Sequence, residues 1–118
     1  MSTYSKIPFS GSTDYKGIKV AATSIGSGTT IHTAQASATN PDILTIFAYN
    51  SDTVDRKLTL GWGGTSSPDD LIDITLQPNA NGMTLIVADL PIRNSLVVKA
   101  ACDTTNVVML FGYVNRIS

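Results

Sequence analysis

This chain contains nine acidic residues and every one of them is an aspartate. Glutamate suits helix interiors, whereas Asp, Asn, Ser and Gly favour turns and caps. A chain that uses only the shorter acid, and fills the gaps between brief apolar runs with Thr, Ser, Gly and Asn, reads as strands joined by tight loops. The fold class is therefore all-β. The same composition is poor in chemical tools: there is one histidine, one cysteine, no glutamate and no cluster of basic residues.

The 118 residues fit a single domain, and a chain of this size buries roughly 65% of the surface its unfolded form exposes. An apolar fraction of 42% with 14% charged residues describes a lightly charged globule and not a disordered polymer. The net charge of −1 and the thin spread of Lys6, Lys16, Lys19, Arg56, Lys57, Arg93, Lys99 and Arg116 give no drive toward nucleic acid or anionic lipid. Cys102 is alone, so no intrachain disulfide can form and stability must come from packing. No apolar run approaches the ~20 residues that span a bilayer, and MSTYSKIPFSGSTDYKG at the start lacks the apolar stretch of a secretory signal. Synthesis inside the cell, in the cytoplasm, and no membrane partner are the expectations.

Residues 1–17 carry scattered anchors, Tyr4, Ile7, Phe9 and Tyr15, among Ser, Gly, Thr and Pro8, and read as an extended N-terminal arm. Residues 18–118 read as a β-sandwich domain, with candidate strands at 18–23, 29–35, 43–50, 56–62, 71–76, 83–88, 95–102 and 106–116. The joints at 24–28, 50–55, 63–70, 77–82 and 103–106 are rich in residues that tolerate or preset turns, and several suggest hairpins. About eight short strands at regular spacing imply an antiparallel sandwich, jelly-roll or immunoglobulin-like.

Alternation shows which faces are buried. Leu58, Leu60 and Trp62 share one side of their strand, and Ile72, Ile74 and Leu76 share one side of theirs. Residues 42–50 and 106–114 are apolar on both sides. In the latter, Val107, Met109, Phe111 and Tyr113 form one stripe, and Val108, Leu110, Gly112 and Val114 the other. Leaving three large side chains of a second stripe in water forgoes about 4–9 kcal/mol. That stripe needs a cover, either the arm or a loop of the same chain, or a neighbouring subunit.

Chemistry finds little to build on. A Ser-His-Asp or Cys-His arrangement would have to use His32, whose neighbours in TTIHTA alternate as a strand, so it reads as a packing or surface histidine. Cys102 ends the apolar stripe Leu96, Val98, Ala100 and reads as a small buried hydrophobe. Asp69, Asp70 and Asp73 could pair for glycoside hydrolysis or hold calcium, but they lie in a Pro-Asp-Asp turn and on a polar strand face, without an EF-hand pattern. The GWGG segment, 61–64, lacks the helix and the Lys-Ser/Thr pair of a phosphate loop. Trp62, Tyr49, Phe47, Phe111 and Tyr113 could form a sugar platform, although such residues more often fill a sandwich core. No catalytic residue, metal ligand or cofactor is assigned, and the chain reads as a non-enzyme.

The arm MSTYSKIPFSGSTDYKGIKV, the strand GTTIHTA, the block LTLGWGGTSSPDDLIDITL and the closing MLFGYVNRI together resemble a family of short virion proteins of tailed bacteriophages, encoded among head genes. The resemblance implies a capsid decoration or cement protein, a small β-sandwich seated on the outer shell and commonly trimeric. Its partners would be the major capsid protein and its own copies. In that setting the sandwich would pack on its copies through Ile43, Phe47, Tyr49, Val108, Leu110 and Val114, and the arm would dock on the shell through Tyr4, Ile7 and Phe9. A tail, baseplate or head-fibre component and a receptor- or carbohydrate-binding module are the alternatives.

Overall fold

The computed structural model describes residues 3–118, and it is all-β. Nine strands form two antiparallel sheets: β1 (Tyr4–Ile7), β2 (Ile18–Lys19), β3 (Thr29–Thr33), β4 (Asp42–Asn50), β5 (Arg56–Trp62), β6 (Leu71–Leu76), β7 (Thr84–Ile92), β8 (Val97–Cys102) and β9 (Val108–Ile117). One sheet runs β1-β9-β4-β7, with β2 also paired to β9, and the other runs β3-β8-β5-β6. The short β1 and β2 lie one after the other along the same edge of β9, β1 opposite residues 114–117 and β2 opposite 109–110. Taken as one interrupted edge strand, they pair with the last strand, β3 with β8, β4 with β7, and β5 with β6. This nested pairing is the winding of a jelly roll, and it decides between the two sandwich topologies.

The elements follow from the alternation. In β5, Leu58 and Leu60 are fully buried while Lys57 is exposed; in β8, Val98, Ala100 and Cys102 face the core. The expected hairpins are mostly absent, because among the described residues only β5 and β6 are consecutive in sequence, joined by a turn and adjacent in one sheet. From β2 onward every other joint carries the chain to the other sheet. The turn between β7 and β8 shows how: Asn94 and Ser95 both adopt positive φ, 63° and 59°, and the Leu96 amide donates to the Arg93 carbonyl. That is hairpin turn chemistry, used here to swing the chain across the sandwich.

The N-terminal segment departs most from expectation. It is not an arm separate from the sandwich. β1 pairs with β9 from Tyr4 opposite Ile117 to Ile7 opposite Val114, and Phe9 is a core side chain, 1% exposed. Gly112 makes room for it. Its φ of 148° lies in the region that favours glycine, and a Cβ there would sit 2.0 Å from the Thr45 carbonyl oxygen and 3.0 Å from the Phe9 ring. Residues 1–17 and 18–118 thus share one core as far as residue 3. Phe9→Ala should cost about 3–5 kcal/mol of unfolding free energy. Tyr4→Ala, at a site 72% exposed, should stay within about 0.5 kcal/mol; urea unfolding of both variants checks the pair.

Candidate functional site

The two outer faces of the sandwich differ in kind. On the four-stranded sheet, Lys57, Thr59, Asp73 and Thr75 point outward. Lys57 Nζ lies 3.3 Å from Asp73 Oδ2, and the Thr59 hydroxyl donates to Asp73 Oδ1 at 2.9 Å. Lys57, Thr59 and Asp73, with Thr23, Ala101, Cys102 and Asp103, line an open depression of ≈410 Å³. Cys102 itself is buried, and burial pushes its thiol pKa up, so it has the character of an inert core thiol.

The five-stranded sheet presents aromatic and aliphatic groups instead. Register places Leu85, Phe47 and Phe111 side by side across β7, β4 and β9, with Tyr49 beside Met109 and Thr45 beside Tyr113. Phe47, Tyr49, Met109, Phe111 and Tyr113 are half-buried, and Leu85 is 51% exposed. The N-terminal segment covers part of the β9 side. Gly17 is pressed against Phe111, so that a Cβ there would meet its ring at 2.6 Å. Lys6 Nζ sits 4.4 Å from the centre of the Tyr113 ring, and the Tyr15 hydroxyl donates to the Lys6 carbonyl. The cover is thus supplied by the same chain over β9, while Phe47 and Leu85 lie toward the opposite edge.

The residues expected to make contacts fall into two groups. Ile43, Phe47 and Tyr49 lie on this outer face, and Tyr4 stands exposed at its border. Val108, Leu110 and Val114 do not: all three are fully buried between the sheets, and the outer stripe of β9 is Met109, Phe111 and Tyr113. A strand apolar on both sides carries no internal sign of which side turns in; pairing with β4 settles it, because Val114, Leu110 and Val108 lie beside the buried Leu44, Ala48 and Asn50. Phe9 is likewise core, and Ile7 packs against that core from the inner side of β1.

A polar cluster that alternation did not reveal lies at one end of the sandwich. β3 shifts register between Thr30 and His32, which lets the consecutive residues Ile31 and His32 both turn inward, at 0% and 1% exposure. His32 Nε2 donates to Asp42 Oδ2 at 2.7 Å, and its Nδ1 accepts the Ser10 backbone N–H at 3.0 Å. An Nδ1 that accepts is unprotonated, so the ring is the neutral Nε2–H form. Arg116 grips Asp42 with two bonds of 2.8 Å, from Nε to Oδ1 and from Nη2 to Oδ2, and the Gln35 amide adds a further donor. The Gln35 side chain also donates to the carbonyls of Pro41 and Ile117.

Burial lowers the His32 pKa against the pull of Asp42. For Asp42, burial works upward, but the hydrogen bonds from Arg116, His32 and Gln35 outweigh it and hold the carboxyl below its ordinary value. Ser10, His32 and Asp42 are the residue types of a hydrolase triad, but they are wired differently. The Ser10 hydroxyl accepts from the Thr33 amide at 2.7 Å, and both imidazole nitrogens are engaged. The cluster fastens β3, β4, β9 and the segment after β1 to one another. A histidine followed within ten residues by an aspartate was visible in the sequence, but the signal that joins them is the bulge, which no pattern announces.

No protein family, no curated protein and no solved structure matches the chain.

Two outcomes follow from the cluster. His32 takes up protons less readily when folded than in the unfolded chain, where its pKa is 6.5, so its contribution to stability is complete above that value and declines as pH falls below it. Asp42 titrates lower when folded than its ordinary 3.8, so a second loss comes as pH falls through the carboxylate range. Urea midpoints measured from pH 8 to pH 3 should show both declines. Asp42→Asn breaks a buried pair and should cost about 3–5 kcal/mol at pH 7.

Proposed function

We propose that this protein is a non-enzymatic structural component of a tailed-phage virion, a decoration or cement protein on the exterior of the capsid. There it binds the major capsid protein, associates with its own copies as a homotrimer and braces the shell against the pressure of packed DNA. The resemblance of the arm, GTTIHTA, GWGG and MLFGYVNRI segments to phage virion proteins supplies the role. The observation that carries it is the contrast between the two outer faces. One is a polar, ion-paired solvent face; the other lays Leu85, Phe47 and Phe111 in a row across three strands. Aromatic groups on a preformed sheet lose little conformational freedom on contact, which suits a surface that must bind in many copies.

The contact set is accordingly Tyr4, Ile43, Phe47, Tyr49 and Leu85 with the outer stripe of β9, and not the buried Phe9, Val108, Leu110 and Val114. Small contacts suffice, because each copy adds its own binding energy to the shell it bridges. The weak net charge agrees with a position facing solvent rather than genome. A second reading has one observation in its favour: the ≈410 Å³ depression lined by Lys57, Thr59 and Asp73 offers hydrogen-bonding groups to a glycan. A carbohydrate binder would give a glycan-array signal that Asp73→Ala removes.

Mixing the purified protein with shells that lack it, and sedimenting them, should give saturable binding at a fixed ratio to the shell protein. Phe47→Ser should weaken that binding by about 2 kcal/mol, roughly thirtyfold, whereas Thr75→Ala on the polar face should leave it unchanged. Recovery of the protein with tails instead of shells would assign it to a tail, baseplate or head fibre. Sedimentation velocity of the free protein reads the trimer directly.

A further inference from the structure

We propose that His32 is a proton-operated latch on the segment Ser10–Ser12: protonation of its Nδ1 frees this segment from the end of the sandwich while Phe9 and the two sheets stay packed. The geometry sets out the parts. The Ser10 N–H has Nδ1 as its acceptor at 3.0 Å, and an imidazolium carries a hydrogen at that atom, so the acceptor is lost when the ring gains a proton. Two donors then face each other in a site where His32 is 1% exposed, and a buried donor without a partner is costly.

The charged groups facing His32 are Asp42, from β4, and Arg116, from β9. Asp42 favours the protonated ring. Its carboxylate is, however, already shared with both nitrogens of the Arg116 guanidinium and with the Gln35 amide, and the new cation would stand beside Arg116. Uncharged neighbours include the Phe9 ring, centred 6.3 Å from the imidazole, the backbone of the segment, and Val98 opposite in β8. Relief on the Asp42 side would require breaking β4 or β9, which are paired to each other from Asp42 opposite Arg116 to Asn50 opposite Val108. Relief on the Ser10 side requires only that a short segment move. Past Phe9, which keeps its place in the core, that segment is tied to β3 by the Gly11 amide on the Ile31 carbonyl and by the Ser10 hydroxyl, which accepts from the Thr33 amide. The weaker attachment is therefore the one that yields.

Linkage fixes the size of the effect. Opening that exposes His32 to water becomes up to tenfold more favourable per pH unit once the pH is below 6.5 and above the depressed value of the closed form. The test is NMR on the full ¹⁵N-labelled chain between pH 8 and pH 5. Ring shifts of His32 report its tautomer and titration, and hydrogen-exchange protection factors are followed for Ser10, Gly11 and Thr33, with Leu60 and Leu110 as core references. The expected result is a fall of protection at the first three amides by about tenfold per pH unit along the His32 titration, with the core references constant.

His32→Asn gives an acceptor oxygen near the position of Nδ1 that does not titrate, and its segment protection should be flat with pH. Three results overturn the latch: His32 protonates while Ser10 and Gly11 keep their protection, segment and core lose protection together, or His32 stays neutral until the whole chain unfolds. Should His32→Asn fail to fold, the wild-type ring and amide titrations decide by themselves, since coincidence of the His32 and Ser10 curves with a silent core is required.

Discussion

Burial of the two inner sheet faces against each other is the interaction on which everything else depends, because the chain changes sheet at almost every turn. Among the described residues only β5 and β6 form a hairpin; each of the other joints from β2 onward sends the backbone across the sandwich. A half-built sheet would expose Leu44, Ile46 and Leu110 with nothing opposite them, and the same holds for Leu58, Leu60 and Val98. Neither sheet is stable without the other. The pairing of Tyr4 with Ile117 makes the point at its extreme, since the two ends of the chain must meet before the sheet edge is complete.

Within that frame the N-terminal segment is a structural member. Phe9 fills the place that Gly112 leaves empty, and Ser10 turns back to serve His32 and Thr33. Asp42 is the polar counterpart of this apolar plug. Its carboxylate has no access to water, yet four donor contacts from His32, Gln35 and Arg116 satisfy it, and no buried side-chain nitrogen or oxygen among the described residues is left without a partner. Such a cluster adds directional requirements to a core whose hydrophobic packing is not directional. It also places one titratable ring against a segment outside the strands, held to β3 through the Gly11 amide and the Ser10 hydroxyl.

The proposed virion role rests on the outside of the fold. A jelly roll by itself supports many functions, so the chemistry of one face, and its contrast with the other, is what marks a contact surface. The outer side of the five-stranded sheet is an aromatic and aliphatic surface, partly covered by residues 6–17 and open toward β7. The opposite face is polar, with Lys57 paired to Asp73 and Asp73 also accepting from Thr59.

The sequence by itself determined the fold class, nearly every strand and most of the core, since alternation and turn residues are local signals. Leu58 and Leu60, and the stripe Val98, Ala100 and Cys102, could be placed from their own neighbours because only one side of each strand is consistently apolar there. Only the tertiary structure decided which stripe of β9 turns inward, because both are apolar and the choice belongs to the register with β4. It alone decided that the joints cross between sheets, that Phe9 belongs to the core, and that a bulge in β3 turns His32 toward Asp42. The physical reason is common to all of these. Each depends on contacts between residues far apart in the chain, where local periodicity carries no information and the packing of two sheets leaves one arrangement in which both apolar faces and the buried carboxylate are satisfied.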